Sequence, residues 1–231
     1  MKKVILLLVG LTFAFSLSLF SQKTFSGDIK LKTYVEGTTD ANIISQYQME
    51  IDKVVMGSKS KQTMNQGGIG VTTILDGDSK IMTMIIDFTV SGYGKYYNID
   101  TVDYSLMKYD YTYDANDTKT IAGYVCHKAH CVVTNLETDE TDEFTLYVTD
   151  DLMKEYNSFE YPGLKGYPLY TSVAMDNSGT PFNLIVEVTQ ITPNKKIKDL
   201  HFFLPDGAVT FDEAPAEIKQ MLGLSSEEDE E

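Results

Sequence analysis

From Phe25 the odd positions Phe25, Gly27, Ile29, Leu31, Thr33 and Val35 alternate with Ser26, Asp28, Lys30, Lys32 and Tyr34. Successive side chains of a strand point to opposite faces, so this rhythm predicts an antiparallel strand with one side on a core and the other in water. The same rhythm recurs over residues 43–55, where Tyr47, Met49 and Ile51 face one way and Gln46, Gln48, Glu50 and Asp52 the other. It returns in Ile69, Val71, Thr73 and Leu75, in Phe144, Leu146 and Val148, and in Phe182, Leu184, Val186 and Val188. Leu200, Phe202 and Leu204 predict a last strand.

Residues 80–90 break the one-face rule. Met82, Met84, Ile86 and Phe88 occupy the even positions, and Ile81 and Ile85 the odd ones. A strand apolar on both faces must be covered on both. Met82, Met84, Ile86 and Phe88 are therefore candidate contacts for an apolar ligand, with the flexible methionines adapting to its shape. The alternative cover is a C-terminal helix over residues 215–222. Pro215 suits its first turn, Ile218, Met221 and Leu222 form its stripe, and Gly223 stops it. A second helix is predicted over 151–159, capped by Asp150, with Leu152 and Tyr156 on one face.

Gly67-Gly68, Asp76-Gly77-Asp78 and the polar stretch 135–141 are hairpin connections, and Asp206-Gly207 closes the last strand. Roughly nine to eleven strands follow. The fold class is mainly β with few helices: one large antiparallel sheet, curled or closed to manage its edges. Residues 22–223 suffice for one such domain.

Before it, Lys2 and Lys3 precede an apolar run from Val4 to Phe20, which reads as a secretory signal over residues 1–21. Cleavage after Ser21 leaves Gln22 first; a cut after Ser18 and an uncleaved anchor are the alternatives. No cysteine follows the run to mark a lipoprotein. Removing Lys2 and Lys3 from the 19 basic residues leaves 17 against 34 acids, a net charge of −17. The chain contains no arginine, so the bidentate fork that recognises phosphate is missing. An acidic surface also repels nucleic acid and anionic headgroups, which argues against nucleic-acid partners. Residues 224–231 form an acidic tail that is expected to be disordered and solvated.

The segment from Cys126 to Cys131 holds two cysteines, with His127 and His130 between them, the ligand types of a zinc site. In a strand, Cys126 and His130 lie on one face, and His127 and Cys131 on the other. Four ligands cannot converge from opposite faces, so no metal is expected. Ile121, Val125, Ala129 and Val133 share the face of His127 and Cys131, which reads as core. A disulfide between the two is not expected either. Five extended residues separate Cα atoms by about 16 Å, where a bridge wants about 6 Å. Asp114, Asn116 and Thr118 have the opening rhythm of a calcium loop, but Lys119 and Val125 occupy its glycine and glutamate positions. A polar turn between strands accounts for them. Tyr109, Tyr111 and Tyr113 share a strand face, as a stacking platform or as a packed sheet surface. No catalytic residues emerge, so the chain is read as a non-enzyme that needs no cofactor.

The segments Thr118–Lys128 and Leu146–Leu152, with Gly166-Tyr167-Pro168-Leu169 and Phe203-Leu204-Pro205-Asp206-Gly207, carry a family resemblance. The chain resembles a secreted bacterial family of unknown function that is similar in fold to the lipoprotein carriers LolA and LolB. That resemblance implies a curved antiparallel half-barrel wrapped around helix, with an apolar concavity. It does not imply lipoprotein transport, because the carriers present an arginine to their cargo. The expected function is an exported periplasmic or cell-surface binding module for an apolar or lipidic ligand. The alternative is a structural or protein-interaction domain of the cell envelope, with a protein partner and no small ligand.

Overall fold

The computed structural model describes residues 25–152 and 161–223. The signal, the acidic tail and nearly all of the helix predicted over 151–159 lie outside those residues. Twelve strands form one sheet. They are β1 (Ser26–Glu36), β2 (Met49–Met56), β3 (Lys59–Gln66), β4 (Ile69–Asp76), β5 (Ile81–Asp87) and β6 (Lys95–Thr101). Then come β7 (Met107–Ile121), β8 (Tyr124–Asn135), β9 (Thr141–Thr149), β10 (Tyr167–Asn177), β11 (Thr180–Pro193) and β12 (Ala208–Thr210). Among the described residues two short α-helices accompany them, α1 (Ala41–Tyr47) and α2 (Ala216–Met221).

The sheet order is β12-β6-β5-β4-β3-β2-β1-β11-β10-β9-β8-β7. Two antiparallel meanders, β1 to β6 and β7 to β11, are thus joined where the first strand of one pairs with the last strand of the other. The strands from β2 to β5 follow one another through short turns, whereas the β1–β2 connection carries α1 and residues 150–166 lead from β9 to β10. Gly67-Gly68 and Ala122-Gly123 turn two hairpins with positive φ at both central residues, the twist-matched form of a two-residue turn. Asp76 closes the β4–β5 turn by accepting from the Asp78 and Ser79 amides at 3.0 and 3.3 Å. Among the described residues the one parallel pairing is β12 on β6, over three residues. It shortens the edge that β6 would otherwise present.

The sheet is curved and unclosed, the curled rather than the closed of the two forms that the alternation allows, and the fold is mainly β. One core cluster joins Ile29, Val55, Tyr167, Leu169 and Val188 with Ile121, Cys126, Tyr147 and Leu152. A second holds Ala129, Cys131, Val133, Leu146, Val148 and Leu164, with Tyr109, Tyr111 and Tyr113 against it. The tyrosine run is therefore a packed sheet surface. A third cluster packs Ile218 of α2 on Phe88, Tyr96 and Ala214.

Five local readings need correction. Residues 41–47 are helical rather than extended, because the Asp40 carboxylate accepts from the Asn42 and Ile43 amides at 2.8 and 3.3 Å and caps α1. The Thr33 hydroxyl then donates to the Tyr47 carbonyl and holds the helix end to β1. The last predicted strand is a 3-10 turn over Asp199–Phe202, tied to β3 by a 2.8 Å contact between Lys59 Nζ and Asp199. Asp206-Gly207 leads into β12 instead of closing a strand. Asp114, Asn116 and Thr118 do not end a strand: β7 runs on past them, and residues 115–117 bulge out of its pairing with β8. Finally, Val125 is 66% exposed and Ile121 packs with Cys126. The face read as core buries its residues only from Ala129 to Val133, because the turn end of the β7–β8 hairpin is covered from its other side.

Candidate functional site

The register shows which alternate positions share the concave face. Tyr109 pairs with Val133 and Val133 with Asp142. Leu146 pairs with Thr171, and Thr171 with Val186. Leu31 stands between Val188 and Ile51, and Lys53 opposite Gln62. Residues from this face line a cavity of about 410 Å³. Gln62 of β3 and Tyr109 of β7 both contribute to its wall, although six strands lie between theirs in the sheet. At about 4.8 Å per strand a flat sheet would hold them about 34 Å apart. Curvature brings them to one cavity.

The wall is mostly apolar: Leu31, Met107, Val133, Phe144, Leu169, Val186 and Val188. Tyr104, Tyr109, Tyr161, Tyr167 and Tyr170 add rings with hydroxyl tips. Tyr104 meets Tyr109 edge-on at 6.1 Å, and Tyr109 stacks on Tyr111 at 6.4 Å. Burial pushes the hydroxyls of Tyr109 and Tyr170 and the thiol of Cys131 up from their ordinary values. Those wall groups therefore carry no charge at neutral pH. Beside Cys131, the Tyr111 hydroxyl makes no hydrogen bond of ordinary geometry. Its cross-strand neighbour offers only sulfur, a weak acceptor. Two charged side chains belong to the wall, Lys53 and Asp142. Lys53 is 4% exposed, whereas Asp142 is an exposed residue at the start of β9.

Beside the cavity a polar clamp is built on the β7 bulge, and it shares Tyr170 with the cavity wall. Lys119 Nζ lies 4.2 Å from the Tyr147 ring centre and 4.6 Å from that of Tyr170, and the two rings meet edge-on at 5.6 Å. The Tyr147 hydroxyl donates to Asp117 at 2.9 Å, and Asp117 lies 3.4 Å from Lys128 Nζ. Burial first, then the Asp117 hydrogen bond, pushes Tyr147 up to about 12. The tyrosine keeps its proton and the charges offset one another, so the arrangement fastens β7, β8, β9 and β10 together.

The residues singled out on β5 lie elsewhere. Phe88 is 2% exposed and, with Ile86, packs in the cluster that Ile218 of α2 completes. Met82 and Met84 are half-buried, opposite Leu75 and Thr73. None of Met82, Met84, Ile86 and Phe88 is among the residues lining the cavity. Met221, predicted in the α2 stripe, is 59% exposed, since a helix of six residues turns only one narrow face inward. Cys126 and Cys131 are free and buried in separate clusters. His127 packs beside Tyr113, and His130 faces Glu143 at 3.7 Å. Among the described residues, no three His, Cys, Asp or Glu side chains are grouped so as to hold a metal ion. No helix among them is long and apolar enough to cross a membrane.

Sequence reasoning missed Lys53 and Gln62. The alternation did place Lys53 on the apolar side of its strand, beside Ile51 and Val55, and a lysine in that rhythm was the available signal.

No protein-family model matches the chain, and no curated protein matches it. Among solved structures it is similar to a DUF1329 family protein from Desulfovibrio piger ATCC 29098. The similarity covers 79% of this chain and 91% of that one, at 8% identity and a TM-score of 0.33. So distant a likeness assigns this chain neither a family nor an activity.

Proposed function

We propose that the chain is a non-catalytic binding module that holds an apolar or lipidic ligand against the concave face of its sheet. The cavity carries this reading. Its volume, about 410 Å³, falls within the roughly 300–1,000 Å³ of small-molecule sites, and its wall has their mixture of apolar side chains and a few polar groups. An apolar concavity is also what the resemblance to LolA and LolB implies, while the lack of arginine removes the cargo contact of those carriers. In this reading residues 1–21 are the export signal, and the domain works in the periplasm or at the cell surface.

A second reading, a protein-interaction domain of the envelope, is favoured by one observation. Leu200 and Phe203 are 60% and 64% exposed, beside each other on the segment that covers β2 and β3. Native mass spectrometry of protein taken from its own compartment separates the two. A bound apolar molecule released by organic solvent supports the module. A bare protein that also takes up no dodecanol in calorimetry overturns it.

A further inference from the structure

We infer that the ligand is an uncharged lipid, a long chain bearing a hydroxyl or ester oxygen, and that Thr171 holds this oxygen by a hydrogen bond. This rests on the binding reading above. The buried polar or charged side chains among the described residues are Thr33, Lys53, Ser60, Thr149 and Thr171. Four of them are engaged within the protein. The Thr33 hydroxyl donates to the Tyr47 carbonyl, and that of Thr149 accepts from the Asp151 amide at 3.4 Å. Lys53 and Ser60 interact with other groups of the chain. Thr171 differs: among the described residues its hydroxyl has no hydrogen-bond partner, and the residue lines the cavity. Taking a hydroxyl out of bulk water without a partner is costly, and valine would fill the same shape without that cost. A threonine at that point of the wall has a use when the ligand supplies the partner. Its hydroxyl both donates and accepts, which suits an alcohol or an ester.

The charges of the wall decide against an ionised head. Lys53 and Asp142 are its charged residues. Lys53 is already engaged inside the protein and the chain has no arginine. A carboxylate would therefore give up its water with no free cation in the wall to receive it. The net charge of −15 repels it as well. An ammonium head meets only Asp142, an exposed carboxylate whose attraction water screens. An uncharged oxygen loses least on entry and gains Thr171. Thr171 pairs with Val186, and Val188 and Leu31 continue the apolar surface on β11 and β1. The chain of the ligand lies along them.

The test compares dodecanol, dodecanoate and dodecyltrimethylammonium by calorimetry, the two ionic probes below their micellar concentrations, on purified protein stripped of lipid. Dodecanol is expected to bind roughly tenfold tighter than either charged probe or better, as the cost of stripping water from an unpaired charge implies. Thr171→Val keeps the shape of the side chain and removes its hydroxyl. It is expected to leave the denaturation midpoint level or raise it, and to weaken dodecanol roughly three- to tenfold, the worth of one net hydrogen bond. Thr171→Ser keeps the hydroxyl and is expected to bind dodecanol more tightly than Thr171→Val does. Should Thr171→Val fail to fold, the three-probe comparison on the unmutated protein still decides. Either charged probe binding as tightly as dodecanol overturns the uncharged ligand and leaves the apolar cavity standing. Unchanged dodecanol affinity in Thr171→Val overturns the role of Thr171. Binding of none of the three overturns the binding reading as well.

Discussion

Gln62 and Tyr109 face one cavity from strands that six others separate. No pairwise contact produces this; the accumulated twist and coil of the intervening strands does. Spin labels at these two positions, in a Cys126→Ala/Cys131→Ala background, report the curvature directly. A distance distribution centred well below the ~34 Å of a flat sheet is expected. A distribution at or beyond that value would contradict the curved sheet.

Filling the cavity tests whether it is the binding site. Val186 is half-buried and lines the wall at the middle of the apolar surface. In a packed core, enlarging valine to tryptophan strains the structure by about 1–3 kcal/mol. At an open wall the indole has room, so Val186→Trp should leave the denaturation midpoint close to that of the unmutated protein. Dodecanol binding should fall by roughly tenfold or more, since the ligand's volume is then occupied. An unchanged dodecanol affinity places the ligand elsewhere.

Much of the architecture is legible in the sequence, for a physical reason: one-sided burial writes itself as alternation. The strands led by Ile29, by Leu146 and by Phe182 all stand where the rhythm puts them. Local chemistry defeats the rhythm at the misread segments. Asp40 caps a helix across a stretch that alternates well enough for a strand, and Leu200, Phe202 and Leu204 alternate in a segment that pairs with nothing in the sheet. The bulge at residues 115–117 is legible only as polar residues, which suit a turn equally. The resemblance implies an apolar concavity, but which residues line it was not legible in the rhythm. Lys53, Tyr109 and Val186 become neighbours through curvature, and curvature leaves no periodic trace.

Strand β5 offers a sharper contrast between packing and binding. Ile86 and Ile218 belong to one buried cluster at the β5–β6 end, away from the cavity. Ile218 is fully buried, so Ile218→Ala should cost about 2–5 kcal/mol through lost burial and the cavity left behind. Ile86→Gln should also lower stability, by placing an amide among apolar side chains. Both variants should keep the dodecanol affinity of the unmutated protein at temperatures where they remain folded. Loss of binding in Ile86→Gln with stability intact would return the ligand to Met82, Met84, Ile86 and Phe88.

The two thiols supply a pH dependence whose sign follows from burial. Burial pushes Cys126 up from 9 to about 11 and raises Cys131 in the same direction. In the unfolded chain both ionise near their ordinary value, about 8.5. Below that pH both states hold the thiol protons, and stability does not depend on them. Above it the unfolded chain binds fewer protons than the folded one, so stability falls as pH rises toward 11. The buried tyrosines, Tyr147 at about 12 among them, extend the loss to higher pH. Denaturation midpoints should therefore be level in their thiol contribution through neutral pH and decline from about pH 9. Cys126→Ala should flatten the first part of that decline. In the native protein at pH 8 both thiols should react slowly with an aromatic disulfide reagent, because buried and protonated sulfur is a poor nucleophile. Unfolding should release both for rapid reaction. Fewer than two reactive thiols in the unfolded, unreduced protein would mean that the pair, or one of them with a partner, is oxidised.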